Sequence, residues 1–210
     1  MPRTADHDER RDLMARAFQR LLATEGLPRV SFTRVAAEAG VSVGLIQHYF
    51  ANKDALLRFS YEDCLRRSAE RVETRIQDGE AAKQPIAEML LAGLAELLPL
   101  DPERTLEYRV ERSLWISALN DAELAEVAQR ASAGLAGRIA AAIENGKECG
   151  EVRPEVDSAR AAAMILSTAR GFADTLSMDT TLAHSSDAIK HVLHPVITIV
   201  FTGRCDHYDQ

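Results

Sequence analysis

Apolar residues recur at intervals of three and four along nearly the whole chain, and no run of alternating apolar and polar residues bounded by turns breaks that period. The pattern predicts an all-α protein of about nine helices. The first runs from His7 to Glu25, with Asp6 as N-cap, Glu9 completing a capping box and Gly26 as the stop. Its apolar stripe is Leu13, Met14, Ala17, Phe18, Leu21 and Leu22. Two very short helices follow, Phe32 to Ala39 and Val43 to Tyr49, separated by Gly40-Val41-Ser42. Asn52 caps a long helix through about Gln77, which Gly79 is expected to close. Further helices are predicted at Gln84 to Leu98, Pro102 to Leu119, Asp121 to Glu148, Glu155 to Ser177 and Ser185 to Thr202. The breaks between them fall at Pro99, Asn120, Gly150 with Pro154, and near Asp179. Pro195 lies inside the last of these; an interior proline costs a helix about 3 kcal/mol, so a bend is expected there.

Composition narrows the class. With 46% apolar and 27% charged residues in 210, the chain can bury a sizeable core. Cys64, Cys149 and Cys205 are too few and too scattered for a disulfide framework or a Cys-x-x-Cys zinc site, which points to a reducing, cytoplasmic setting. The charged start MPRTADHDERRD has no apolar stretch behind it, and Glu88 and Glu96 interrupt the longest apolar stretch, so neither a signal peptide nor a membrane partner is expected. A formal charge of −7 argues against a nucleic-acid partner until it is divided by segment. Residues 1–60 hold nine basic and seven acidic side chains, a net of +2, which leaves −9 on the remainder.

The segment from Ser31 to Phe50 carries the function. Ser31 and Ser42 each stand where an N-cap belongs, and Gly40 where a left-handed residue ends a helix. Helix, tight turn, helix results. Phe32, Val35, Ala36, Ala39, Val41, Ile46 and Phe50 are spaced to bury one side of the pair. Ser42, Val43, Gly44, Gln47, His48 and Tyr49 are left for the turn and outer surface of the second helix. In a helix-turn-helix that second helix enters the major groove, where a glutamine can bond bidentately to adenine, so Gln47 is the best candidate base reader. An ordinary αα-hairpin with Gln47 and His48 as solvated surface would fit the same spacing.

The run FTRVAAEAGVSVGLIQHYFANKDALL resembles the DNA-binding signature of the TetR family of bacterial transcriptional regulators. The likeness rests on Val35-Ala36, Ala39-Gly40-Val41-Ser42, Gly44, Tyr49-Phe50 and Lys53-x-x-Leu56, and Gly44-Leu-Ile-Gln-His-Tyr-Phe50 is most similar to the BetI-like branch. It covers about residues 10–60. The resemblance implies that Ser31, Thr33 and Arg34 lie near the phosphate backbone. It likewise implies that Val43, Gly44, Leu45, Gln47 and His48 form the recognition surface while Tyr49 and Lys53 grip phosphates. Many members carry tyrosine where this chain has Gln47, so operator preference does not transfer, and Arg34 stands where an acidic residue often completes the cap.

For the rest of the chain, the last two predicted helices carry broad apolar stripes. These are Ala162, Ile165, Leu166, Ala169, Phe172, Ala173 and Leu176, then Ile189, Val192, Leu193, Val196, Ile197, Val200 and Phe201. They suit an intramolecular core; the resemblance, and the need for two heads on a palindromic site, place a homodimer interface there. The resemblance also implies an effector pocket, for which Tyr108, Glu111, Trp115 and Leu119, near one face of their helix, are the candidate lining, with Phe172 beside them. Aromatic rings beside a carboxylate would suit a cationic small molecule, though the same spacing is that of ordinary core. No phosphate loop, nucleophile elbow or His-Glu-x-x-His motif marks an enzyme, and no cofactor is implied. His184, His191 and His194 could be imagined as metal ligands, but no Cys joins them at a ligand spacing, and no metal is expected. The expected organisation is a DNA-binding domain over residues 1–52, an effector-binding and dimerisation domain over 53–204 joined to it by the helix at 53–78, and a polar tail at 205–210. The expected function is a regulator released from double-stranded operator DNA by a small-molecule effector. The alternative is a helical binding or scaffold protein without DNA function.

Overall fold

The computed structural model describes residues 3–179 and 186–205, which hold nine α-helices and no strand. In chain order these are α1 (Arg3–Glu25), α2 (Phe32–Ala39), α3 (Val43–Tyr49), α4 (Lys53–Ala81), α5 (Ile86–Ala95), α6 (Pro102–Ala118), α7 (Ala122–Glu148), α8 (Ser158–Met178) and α9 (Ser186–Val200), with a 3-10 turn at Leu27–Arg29. His184 and residues 206–210 of the expected tail lie outside the described residues.

Several boundaries move for local reasons. Because α1 begins at Arg3, Asp6 lies within the helix and not at its cap. Gly79, read as a stop, lies inside α4: a Cβ there would collide with the Met89 side chain, so glycine permits the close approach of α5. The turn that follows uses Lys83 at φ 53. Asp157 caps α8, accepting from the Arg160 N–H at 3.0 Å, so α8 starts later than the expected Glu155. Helix α9 continues through Pro195 and ends at Val200, two residues before the expected Thr202.

By compactness the chain forms two units. One comprises residues 1–67 and 105–128, the other 68–104 and 129–210, a division that does not follow the expected step at 52/53. In the first unit, Met14 and Phe18 of α1, Val35 and Ala36 of α2, Ile46 of α3 and Leu56 and Leu57 of α4 are buried, and α1 packs on α2 and α2 on α3. Leu13, expected in the α1 stripe, is 44% exposed. A buried polar cluster lies among these residues. Gln19 donates to the Asp63 carboxylate at 3.1 Å and to the Ser60 carbonyl at 3.0 Å, while Arg67 donates to Gln19 Oε1 at 3.0 Å. Arg67 also pairs with Asp63 at 3.2 Å. This satisfies polar groups whose burial would otherwise be costly.

In the second unit, α9 packs against α8 and α5. Ile165, Leu166, Phe172 and Leu176 of α8 and Leu193, Ile197 and Val200 of α9 are buried within the single chain. The stripes expected at a dimer interface are therefore spent largely on the protein's own core. The outward faces of the two helices instead offer Met164, Gly171, Met178 and Ile199, the last two 89% and 65% exposed. Glu96, which interrupts the apolar run, is buried among Arg71, Arg75 and Arg104 at 3.3, 2.8 and 3.5 Å. Three guanidinium groups offset the cost of dehydrating one carboxylate. No helix among the described residues is long and apolar enough to cross a membrane.

Candidate nucleic-acid interface

The helix pair is built by its caps. Ser31 Oγ accepts from the Arg34 N–H at 3.4 Å and starts α2; Ser42 Oγ accepts from the Leu45 N–H at 3.2 Å and starts α3. Between them Gly40 adopts φ 68, and the Val41 N–H returns to the Ala36 carbonyl at 2.9 Å. That closes α2 with a left-handed turn that a side chain would strain. Phe50 ends α3 in extended conformation, and Asn52 Oδ1 caps α4 through the Ala55 N–H at 2.7 Å. Val35, Ala36, Ile46 and Phe50 are buried as the spacing predicts, whereas Phe32, Ala39 and Val41 are half-buried.

Ile46 therefore anchors α3 by its inner side, and the outer side is left to Gly44, Gln47 and His48, all exposed. Val43, Leu45 and Tyr49 are half-buried at its flanks. Ser31, Thr33, Arg34 and Ser42 are exposed at the starts of the two helices. The Tyr49 ring lies against His7 of α1 at 4.6 Å, tilted by 50°, and meets His48 edge-on at 5.4 Å. His7 thus stands beside the reading surface; a pairing across 42 residues leaves no trace in helical periodicity.

Two expected phosphate-contacting cations have partners already. Arg34 forms a two-pronged ion pair with Glu25, and Lys53 Nζ donates to the Leu27 carbonyl at 3.2 Å. Arg20 pairs with Glu38 at 2.8 Å. Charge on this unit is therefore partly neutralised from within, and Arg29, exposed on the turn before α2, is a further cation beside the helix pair that no cap or helical period marks.

The expected effector-lining residues do not come together in one unit: Tyr108, Glu111, Trp115 and Leu119 belong to the first, Phe172 to the second. Leu119, expected to line a pocket, is 81% exposed because α6 ends just before it, at Ala118. Arg112 donates to the Tyr108 hydroxyl at 3.3 Å and lies 5.8 Å from the centre of its ring. The aromatic face expected to receive a ligand cation already holds an internal one. Tyr108, Glu111 and Trp115 are half-buried, and Phe172 is buried.

A capped, two-helix head joined by a left-handed turn, with an exposed outer face, is a helix-turn-helix, the arrangement of DNA-binding regulators. Residues 16–58 match the family model for bacterial regulatory proteins of the tetR family, and residues 86–196 that for the C-terminal part of BetI-type transcriptional repressors. The chain belongs to the TetR family, in its BetI-type branch. It is 34% identical over 110 residues to the HTH-type transcriptional regulator PksA of Bacillus subtilis, a match spanning 52% of each chain. It is 28% identical over 160 residues to BetI of Paraburkholderia phytofirmans, covering 66% of this chain and 82% of that one. Among solved structures, a transcriptional regulator from Rhodococcus sp. Rha1 superposes with a TM-score of 0.78 at 25% identity, over 91% of this chain and 96% of the other. A regulator from Saccharomonospora viridis in complex with choline gives 0.73 at 18% identity, over 90% and 94%, and shares the fold.

Proposed function

We propose that the protein is a cytoplasmic repressor that binds a palindromic double-stranded operator as a homodimer and leaves it when a small molecule binds. The observation that carries this reading is the exposure of Gln47 and His48 on a helix whose opposite side is anchored by buried Ile46. Gln47 is the base reader, and Val43, Gly44, Leu45 and His48 complete the groove-facing surface. Ser31, Thr33, Ser42, Tyr49, Arg34 and Lys53 meet phosphates, the last two after exchanging their internal partners for the DNA. Functionally, residues 1–52 form the reading head and 53–204 the effector-binding and dimerising body. Helix α4 is the continuous element that carries motion from one to the other, and differential effector affinity for the two states sets the induction ratio.

Dimerisation uses the outward face of α8 and α9, where Met164, Met178 and Ile199 and the small residue Gly171 stand exposed. On the effector side, Arg112 occupies the ring of Tyr108, so a cation such as the choline of the Saccharomonospora viridis complex would have to rely on Trp115 and Glu111.

Selection of bound sequences from a random duplex pool tests the reading. The expected result is one enriched palindrome, with Gln47→Ala relaxing preference at one or two positions in each half-site by about 1–3 kcal/mol. A pool left unenriched by the folded protein would overturn it.

A further inference from the structure

The chain after α9 folds back onto the turn between α7 and α8, within one compact unit. Phe201 forms an isolated antiparallel bridge with Val152, and the Gly203 N–H donates to the Glu151 carbonyl at 2.9 Å. Glycines make the approach possible. A Cβ at Gly203 would run into the Gly150 carbonyl, and one at Gly146 would press on Val152 and Phe201 at 2.7 and 2.9 Å. Gly150 itself turns the chain at φ 89.

This crossing brings together Cys149, Glu151 and Cys205, whose sulfur and carboxylate ligand atoms all lie within 4.8 Å of one another. Cys149 and Glu151 are buried, 5% and 2% exposed, and Cys205 is half-buried. The Glu151 carboxylate accepts from the Ile86 N–H at 2.8 Å and the Ala87 N–H at 3.1 Å, and from the Cys149 thiol at 3.5 Å. Cys149 lies 3.6 Å from the Gly146 carbonyl as well. Each carboxylate oxygen keeps a lone pair beyond its backbone bond, and the start of α5 holds it in place.

We propose that Cys149, Glu151 and Cys205 form a binding site for one thiophilic divalent cation of the zinc class. Two sulfurs at about 2.3 Å and one oxygen at about 2.0 Å from a common tetrahedral ion stand under 4 Å apart, a small contraction of the observed cluster, with the fourth position open to water. A Cys149–Cys205 disulfide requires the sulfurs to close to about 2.05 Å and takes up neither carboxylate oxygen of Glu151, which would keep only its bonds to the start of α5. The cation ties the start of α5, the end of α7 and the chain after α9 into one clamp, none of which belongs to the reading head.

The test uses the full chain, reduced and freed of metal, dialysed against zinc and then against buffer, with bound metal measured by elemental analysis. One equivalent per chain is expected, lost in Cys149→Ser and in Cys205→Ser and kept in Cys64→Ser. Cys205 lies past the last helix, so the fold of Cys205→Ser, checked by circular dichroism, should be intact. Absence of retained zinc in the native sequence, retention by Cys205→Ser, or a fall from three titratable thiols to one in metal-free protein under air would each overturn the proposal.

Discussion

The Lys53 ammonium, at the first position of α4, donates a hydrogen bond to the Leu27 carbonyl at 3.2 Å, joining the long helix to the turn that precedes α2. This bond fixes the entry to α2 against the exit from α3. Lys53→Ala should lower stability by about 1 kcal/mol, or about 2–4 °C in melting temperature. If Lys53 also reaches a phosphate, operator affinity falls for every sequence alike and the salt slope drops by about one. A melting shift without a change in salt slope would confine Lys53 to holding the turn.

Glu25 and Arg34 form an ion pair in which neither side chain is buried, so its contribution to folding is about 0.2–1 kcal/mol. Glu25→Gln should therefore scarcely alter stability while freeing the guanidinium at the start of α2. DNA affinity at low salt is expected to rise and its salt dependence to steepen by about one ion. Binding curves of the two proteins that superpose over a salt series would remove Arg34 from the phosphate-contacting set.

Gly40 and Gly44 should respond in opposite ways to alanine. At Gly40, φ 68 makes any side chain cost about 1–2 kcal/mol, so chemical denaturation should show a clear loss. Gly44 lies inside α3, where a Cβ would meet only the Ser42 hydroxyl at an ordinary 4.0 Å, and alanine there should stabilise by about 0.5–1 kcal/mol. The same added methyl stands on the exposed side of α3, so Gly44→Ala should gain stability and lose operator affinity.

Asp101 caps α6 through the Arg104 N–H at 2.8 Å and pairs with its guanidinium at 2.7 Å. Burial by itself would raise the carboxyl pKa, but the backbone N–H and the charge of Arg104 outweigh it and hold the group below its usual 3.8. A carboxyl depressed on folding stabilises the protein fully above its unfolded pKa and loses that contribution as pH falls through the folded value. The stability gap between the native sequence and Asp101→Asn should thus be largest near neutrality and shrink in acid below 3.8. Urea titrations across that range would show a widening gap if the protonated form were the one favoured by folding.

The reading head was largely legible because its signals are local. Ser31, Ser42 and Asn52 cap through N–H groups three residues on, and Gly40 ends α2 within a single turn, so each can be recognised from a few neighbours. The effector-side residues were less legible. The spacing of Tyr108, Glu111, Trp115 and Leu119 marks a helix face, but it does not say that Arg112 already lies on the Tyr108 ring or that Leu119 falls past the helix end.

The sequence by itself determined the helices, the caps of the reading head and the family. Hydrogen bonds between residues three or four apart and a 3.6-residue apolar period are properties of the local chain. Only the tertiary structure decided what each apolar or charged face meets. The stripe of α8 and the Leu193, Ile197 and Val200 part of that of α9 proved to be inner core, Gly79 a point of contact with Met89, and Arg34 and Lys53 partners of Glu25 and Leu27. Cys149 and Cys205 come together across 56 residues of chain. Periodicity states that a face is apolar, whereas its occupant depends on how distant segments share a limited interior.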